Sequence, residues 1–145
     1  MSRIELETTI DASPDRCFDL SLSVDVHMAS MAHTSERAVA GVTTGAMRLG
    51  DTVTWEARHL GRSRRLTTRI SGYDRPRWFR DEQVTRPFRH FAHDHFFAET
   101  GGGTLMTDAV EFAWFGPFDR VVLAPYVRSL LRKRNETIKL AAESG

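Results

Sequence analysis

Residues 88–112 read FRHFAHDHFFAETGGGTLMTDAVEF, and the two halves of this run, joined by three glycines, decide the fold. Side chains on a β-strand alternate between faces. Phe91, His93, His95 and Phe97 therefore share one side, and His90, Ala92, Asp94 and Phe96 share the other. Thr100-Gly-Gly-Gly103 is a hairpin turn signal, and Thr104 to Phe112 is the returning strand. Two imidazoles thus stand between two aromatic rings on one wall. Such a wall suits a ligand cavity better than a dry core, because buried polar groups need partners that a ligand or water can supply.

Working outward from this hairpin, the same period of two recurs upstream. Ile4 to Ile10 alternates apolar and polar residues, and Ser13-Pro14 then caps and opens a short helix whose buried stripe is Cys17, Phe18 and Leu22. Val24 to Met31 is a second short helix turning back on the first. Glu36–Thr44 is the second strand, with turn signals over Gly45–Gly50. Asp51–Leu60 and Ser63–Tyr73 form a long hairpin about Gly61-Arg62, with Val53, Trp55, Ala57 and His59 in one phase. Trp78–Thr85 is a further strand between breaks at Asp74–Arg77 and Arg86-Pro87. Gly116-Pro117 ends the strand region. From Phe118 to Ala142 there is no glycine, and Leu123, Val127, Leu130, Leu131, Ile138 and Ala141 recur at helical spacing, with Pro125 marking a kink or the helix start.

The expected fold is α+β: a curved antiparallel sheet of six or seven strands wrapped on the long C-terminal helix, with two short helices after strand one. A curved sheet gripping one helix leaves a cavity wherever the helix does not fill the curve. All 145 residues are expected to form a single ligand-binding domain. The composition, 41% hydrophobic and 27% charged, is that of a globular chain. No apolar stretch approaches the ~20 residues of a membrane span, so stable membrane insertion is not expected, and the protein is expected to be cytoplasmic. The lone Cys17 excludes an internal disulfide, and within an apolar stripe it is an inert small hydrophobe rather than a nucleophile.

The topology, together with Ile10-Asp-Ala-Ser-Pro14 leading into Cys17-Phe18, the alternating Phe91, His93, His95 and Phe97, and the pattern of Gly103, Thr104, Met106, Asp108 and Val110, resembles the START-like (SRPBCC, helix-grip) superfamily. The nearest likeness is to its polyketide cyclase/dehydrase and lipid-transport branch. The resemblance implies a cavity for a hydrophobic or amphipathic small molecule such as a lipid, polyketide, quinone or aromatic metabolite. It also implies that the segment of His27, Met28, Met31 and His33 borders the cavity mouth.

The candidate ligand contacts are His27, Trp55, Phe79, Gln83, Phe91, His93, His95, Phe112 and Trp114, with Trp78 facing the cavity instead of Phe79 if its strand has the other register. Asp81 and Gln83 share one strand face, as do Asp108, Val110 and Phe112. On an inward face, Asp108 could hold a histidine tautomer by accepting its second N–H, which a catalytic imidazole would need. The competing role for Asp108 is a structural carboxylate tied to backbone donors or Arg80. His93 and His95 could chelate a metal with Asp81, Glu82 or Asp108 as third ligand. No His-Glu-x-x-His or paired-cysteine signature accompanies them, so neither metal nor cofactor is expected. No Gly-x-Ser-x-Gly elbow is present.

Arg58, Arg62, Arg64, Arg65 and Arg69 on the hairpin, and Arg128, Arg132, Lys133 and Arg134 on the last helix, read as solvated faces. With a net charge of +1, nucleic-acid binding is not expected, although such basic groups could draw an anionic head group to the cavity entrance. Three functions remain: small-molecule binding or transport, a cyclase or dehydratase with His93 or His95 as general base and Asp108 as orienter, and a protein-interaction module with a residual cavity.

Overall fold

The computed structural model describes residues 1–84, 86–115 and 119–144, with the backbone alone at 119 and 120. The expected strand end at Thr85, the break at Gly116-Pro117 and the helix start at Phe118 lie outside these residues.

Seven strands form one antiparallel sheet: β1 (Ser2–Ile10), β2 (Arg37–Gly41), β3 (Thr52–His59), β4 (Arg62–Asp74), β5 (Trp78–Gln83), β6 (His90–Thr100) and β7 (Gly103–Ala113). Their order across the sheet is β1-β7-β6-β5-β4-β3-β2, with β1 reaching its place beside β7 at the opposite edge from β2. Between β1 and β2 lie α1 (Pro14–Ser21), α2 (Val24–Ser30) and a short 3-10 turn at Ala32–Thr34. The helix-grip fold is completed by α3 (Ala124–Glu143), which packs against β1, α1 and α2.

Local chemistry fixes the element ends. Ser13 accepts from the Arg16 amide at 3.3 Å and Ser23 from the Val26 amide at 3.2 Å, so each short helix has the capping hydroxyl its orphan amides need. β2 is shorter than expected, because a bulge between Ala38 and Ala40 interrupts the register and Gly41 turns the chain with φ of 73°. The β3–β4 turn sits at Leu60-Gly61 rather than Gly61-Arg62, and both turn residues have positive φ, 53° and 80°. Pro125 marks the helix start: it stands in the first turn of α3, where a missing amide costs nothing, after a π-helical turn at Asp119–Leu123.

The core divides in two. Phe18 of α1 meets Phe79 and Phe97 edge-on with ring centroids 5.4 Å apart, and with Ile10, Met106 and Ile138 this cluster closes one end of the sheet. Ile4, Val110, Phe112 and Leu131 form the other cluster under the start of α3. Cys17 is fully buried beside Phe18, as its place on the apolar stripe implies.

Candidate functional site

Between the two core clusters the inner face of the sheet is not filled by helix, and a cavity of about 410 Å³ remains among β3, β4, β5, β6, α2 and α3. Its walls include Val24, Met31, Val53, Trp55, Ile70 and Phe91. Polar groups gather at two places on this wall.

The first group is a relay across three strands and α3. Register places Asp81 opposite His93 and His95 opposite Asp108, so all four carboxylate and imidazole side chains project inward together. They pair diagonally. His93 Nε2 lies 2.7 Å from Asp108 Oδ1, and His95 Nε2 lies 2.6 Å from Asp81 Oδ2, while the two imidazoles stack at 3.6 Å. Phe79 stacks on the far side of His95 at 4.0 Å. From α3, Arg134 reaches His95 Nδ1 at 3.2 Å and Asp108 Oδ1 at 3.3 Å, and Asn135 donates to Asp108 Oδ2 at 2.8 Å.

This geometry assigns protons. A guanidinium only donates, so His95 Nδ1 is an acceptor and its N–H is Nε2, pointing at Asp81. Burial pushes the Asp108 carboxyl upward, but Arg134 and the His93 hydrogen bond outweigh it and hold the group well below the usual carboxylate range. Ionised Asp108 then accepts from His93 Nε2–H, so that in the neutral imidazole Nδ1 is the acceptor nitrogen. Among the described residues Nδ1 has no protein partner, and the one enclosed, unpartnered side-chain polar atom is Ser2 Oγ, so Nδ1 is open to the cavity. Burial, reinforced by His93 and Arg134, drives the pKa of His95 well below its ordinary value. Burial raises that of Asp81, although neighbouring cationic groups oppose the rise.

Asp81, His93 and His95 bring one potential ligand atom each within 4.8 Å of one another. A cation on His95 Nε2 would require the proton on Nδ1, aimed at a guanidinium that also carries positive charge. The set therefore suits hydrogen bonding rather than metal coordination.

The second group lies toward α2 and the start of α3. His27 lies tilted over Trp55 with ring centroids 4.2 Å apart, and its Nε2 lies 3.0 Å from Glu36 Oε1. His59 Nδ1 lies 2.8 Å from the Tyr126 hydroxyl, tying β3 to α3. Burial lowers the His59 pKa, and burial with Glu36 nearby raises that of Tyr126.

Of the residues singled out from the sequence, His27, Trp55, Phe79, Phe91, His93, His95 and Trp114 line the cavity. Gln83 and Phe112 do not. Gln83 exchanges two 2.8 Å hydrogen bonds with the backbone of Phe88 and so holds that ring toward the cavity, while Phe112 is fully enclosed in the core beneath Leu131. Trp78 faces outward, its indole nitrogen on Asp94, and Phe79 inward. Arg80 pairs with Asp94 rather than Asp108. Met31 lines the cavity, whereas His33 is exposed.

Arg134 is the principal correction: it is 4% exposed, not on a solvated face. The apolar spacing carried the signal, since 134 is three residues after Leu131 and four before Ile138, on the stripe that faces the sheet. Glu36, Tyr126 and Asn135 were also missed. Asn135 shares the stripe, but Glu36 and Tyr126 meet their histidines only through tertiary packing.

The polyketide cyclase/dehydrase and lipid transport family model matches residues 1–143. No curated protein matches the chain in sequence. Among solved structures, the Zhui aromatase/cyclase from Streptomyces sp. R1128 superposes with a TM-score of 0.78 at 14% identity, covering 98% of this chain and 93% of that one. TTHA0849 from Thermus thermophilus gives 0.72 at 18% identity, covering 97% and 99%. The ginseng major latex-like protein 151 from Panax ginseng gives 0.73 at 13% identity, covering 97% of each chain. Identities this low establish the shared fold alone.

Proposed function

We propose that this chain, which belongs to the polyketide cyclase/dehydrase and lipid-transport family of the SRPBCC superfamily, binds a hydrophobic or amphipathic small molecule in the cavity beneath α3. The observation that carries the reading is a cavity of about 410 Å³ whose aliphatic and aromatic walls end on a few inward polar groups. That volume lies in the ~300–1,000 Å³ range of small-molecule sites, where apolar area supplies affinity and sparse polar groups fix orientation. Trp55, Phe79, Phe91 and Trp114 receive the apolar body of the ligand. Its polar end meets His93 Nδ1, Asp81 and Arg134, with His27 of α2 also lining the cavity. Native mass spectrometry of protein purified from its own host tests this: a copurified small molecule of constant mass supports it, and protein without any, which also fails to take up hydrophobic compounds, contradicts it.

A second reading follows from the His93–Asp108 pair. An imidazole with its Nε2–H on an ionised carboxylate and Nδ1 open to a cavity is arranged as a general base, and it could take a proton from an activated carbon or hydroxyl of a bound aromatic or polyketide-like molecule. Of the two histidines this role falls to His93, because both nitrogens of His95 are engaged. Deuterium exchange into the bound compound, lost in His93→Gln, would identify it.

A further inference from the structure

Four large apolar side chains are exposed around one opening of the cavity. Leu60 at the β3–β4 turn is 56% exposed, Phe115 after β7 54%, and Val121 and Val122 before α3 78% and 44%. Leu60 and Val122 themselves line the opening, as does Trp114 next to Phe115, so three separate stretches of chain bring apolar tips to one place.

Leu60 is unexpected on backbone grounds as well. Its φ is 53°, in a two-residue turn with Gly61, where Asn, Asp or Gly is favoured and a branched apolar residue is disfavoured. The residue contributes little to packing and costs the turn some stability, so its presence at the tip points to a surface function.

Four arginines gather around this opening. Arg58 reaches the Gly61 carbonyl at the turn, and Arg62 follows that turn. Arg64 lies over the Trp114 ring at 5.6 Å and Arg89 over the Phe115 ring at 6.0 Å. Among the described residues none of these four arginines has a carboxylate within ion-pair distance, although the chain as a whole carries only +1. Guanidiniums laid on aromatic faces beside apolar tips keep their outer N–H groups free for phosphate oxygens.

We propose that this opening docks on an anionic lipid bilayer, with Leu60, Phe115, Val121 and Val122 entering the interface and Arg58, Arg62, Arg64 and Arg89 engaging headgroup phosphates. Cations without a carboxylate partner among the described residues, arranged around separate apolar tips, complement a diffuse anionic surface, and such shallow insertion is peripheral association rather than membrane spanning. The docking does not depend on which ligand the cavity holds.

The test is co-sedimentation of ligand-stripped protein with vesicles of equal parts phosphatidylglycerol and phosphatidylcholine, and with vesicles of phosphatidylcholine alone. Binding to the anionic vesicles, weakened by salt and absent from the neutral ones, is expected. Leu60→Asn places a residue favoured at this φ in the turn, so its thermal unfolding is expected to match or exceed that of the parent while vesicle binding falls several-fold. Arg62→Gln is expected to reduce binding roughly fivefold, the effect of one charge near an anionic surface. The proposal is overturned if the parent ignores anionic vesicles, if it binds neutral vesicles equally, if binding survives both substitutions, or if Leu60→Asn instead dissociates a dimer that hides this face.

Discussion

The guanidinium of Arg134 lies 3.2 Å from Nδ1 of His95. That one approach fixes the imidazole as the Nε2–H tautomer, directs its proton to Asp81 and removes it from the groups free to act as a base. The same guanidinium keeps Asp108 ionised, and Asp108 in turn sets the tautomer of His93. A residue of the last helix thereby determines the hydrogen-bonding character of a sheet wall whose residues lie on three strands.

Replacing Arg134 by Met leaves Asp108 buried with hydrogen-bond donors and no cation beside it. Arg134→Met is expected to cost about 3–5 kcal/mol in urea unfolding, the usual penalty for stripping one partner from a buried pair. Adding Asp108→Asn is expected to recover part of the loss, since the second substitution removes the stranded charge. A purely additive double mutant would show that the two groups are not coupled.

The stability of the protein carries the signature of His95. Its folded pKa is depressed below the unfolded value of about 6.5, so the folded state binds fewer protons, and its stabilising contribution is complete above about pH 7. The contribution is lost as pH falls below about 6.5 toward the depressed folded value, at no more than ~1.4 kcal/mol per pH unit. His59 acts in the same sense. Asp81, with a raised pKa, acts in the opposite one: its contribution is greatest below about pH 4 and declines as pH rises. Urea unfolding at pH 7 and pH 5 is therefore expected to show a shallower pH dependence in His95→Gln than in the parent, and equal slopes would contradict a depressed His95 pKa.

The inward face of β6 was legible because strand alternation is local: Phe91, His93 and His95 follow from a period of two, and the glycines fix the return of β7. The same rule grouped Trp55 with Val53, Ala57 and His59 and Asp108 with Val110 and Phe112, but it left open whether Phe79 or Trp78 faced inward, which the pairing of β5 with its neighbours decides. It fails to separate cavity from core, which depends on where α3 presses: Phe112 has the inward phase but lies under Leu131. Gln83 was misplaced because the strand ends there and its amide is taken by the Phe88 backbone. Arg134 was hidden by charge, which suggested solvent although the residue stands on the apolar stripe. Replacing both His93 and His95 by Phe is not neutral for the fold, since each gives up a hydrogen bond to a fixed protein carboxylate.

His93→Gln is a gentler probe, because its amide N–H can still donate to Asp108 while the open ring nitrogen is removed. Unfolding free energy is expected to change by less than about 1 kcal/mol, and affinity for a ligand with a hydroxyl or other donor at its polar end to fall roughly 3–10-fold. A purely apolar ligand is expected to be indifferent, and calorimetric titration of the two ligand types distinguishes the cases.

Gly72 tests the packing of the outer face. A Cβ built there would overlap the Trp78 ring, so Gly72→Ala must displace an indole that is also held by Asp94 at 2.9 Å. A loss of about 1–3 kcal/mol in thermal or urea unfolding is expected, with cavity binding retained.

The most direct test of a ligand-binding cavity is titration of the folded, ligand-stripped protein with a hydrophobic fluorophore, repeated with Ala57→Phe, which adds a ring to the buried cavity wall. Saturable binding at one site with a dissociation constant near ~1 μM, equivalent to ~8 kcal/mol, is expected for the parent, with at least tenfold weaker binding for the filled variant. Absence of saturable binding to the parent across a broad set of apolar and amphipathic compounds, or equal binding by the filled variant, would contradict it.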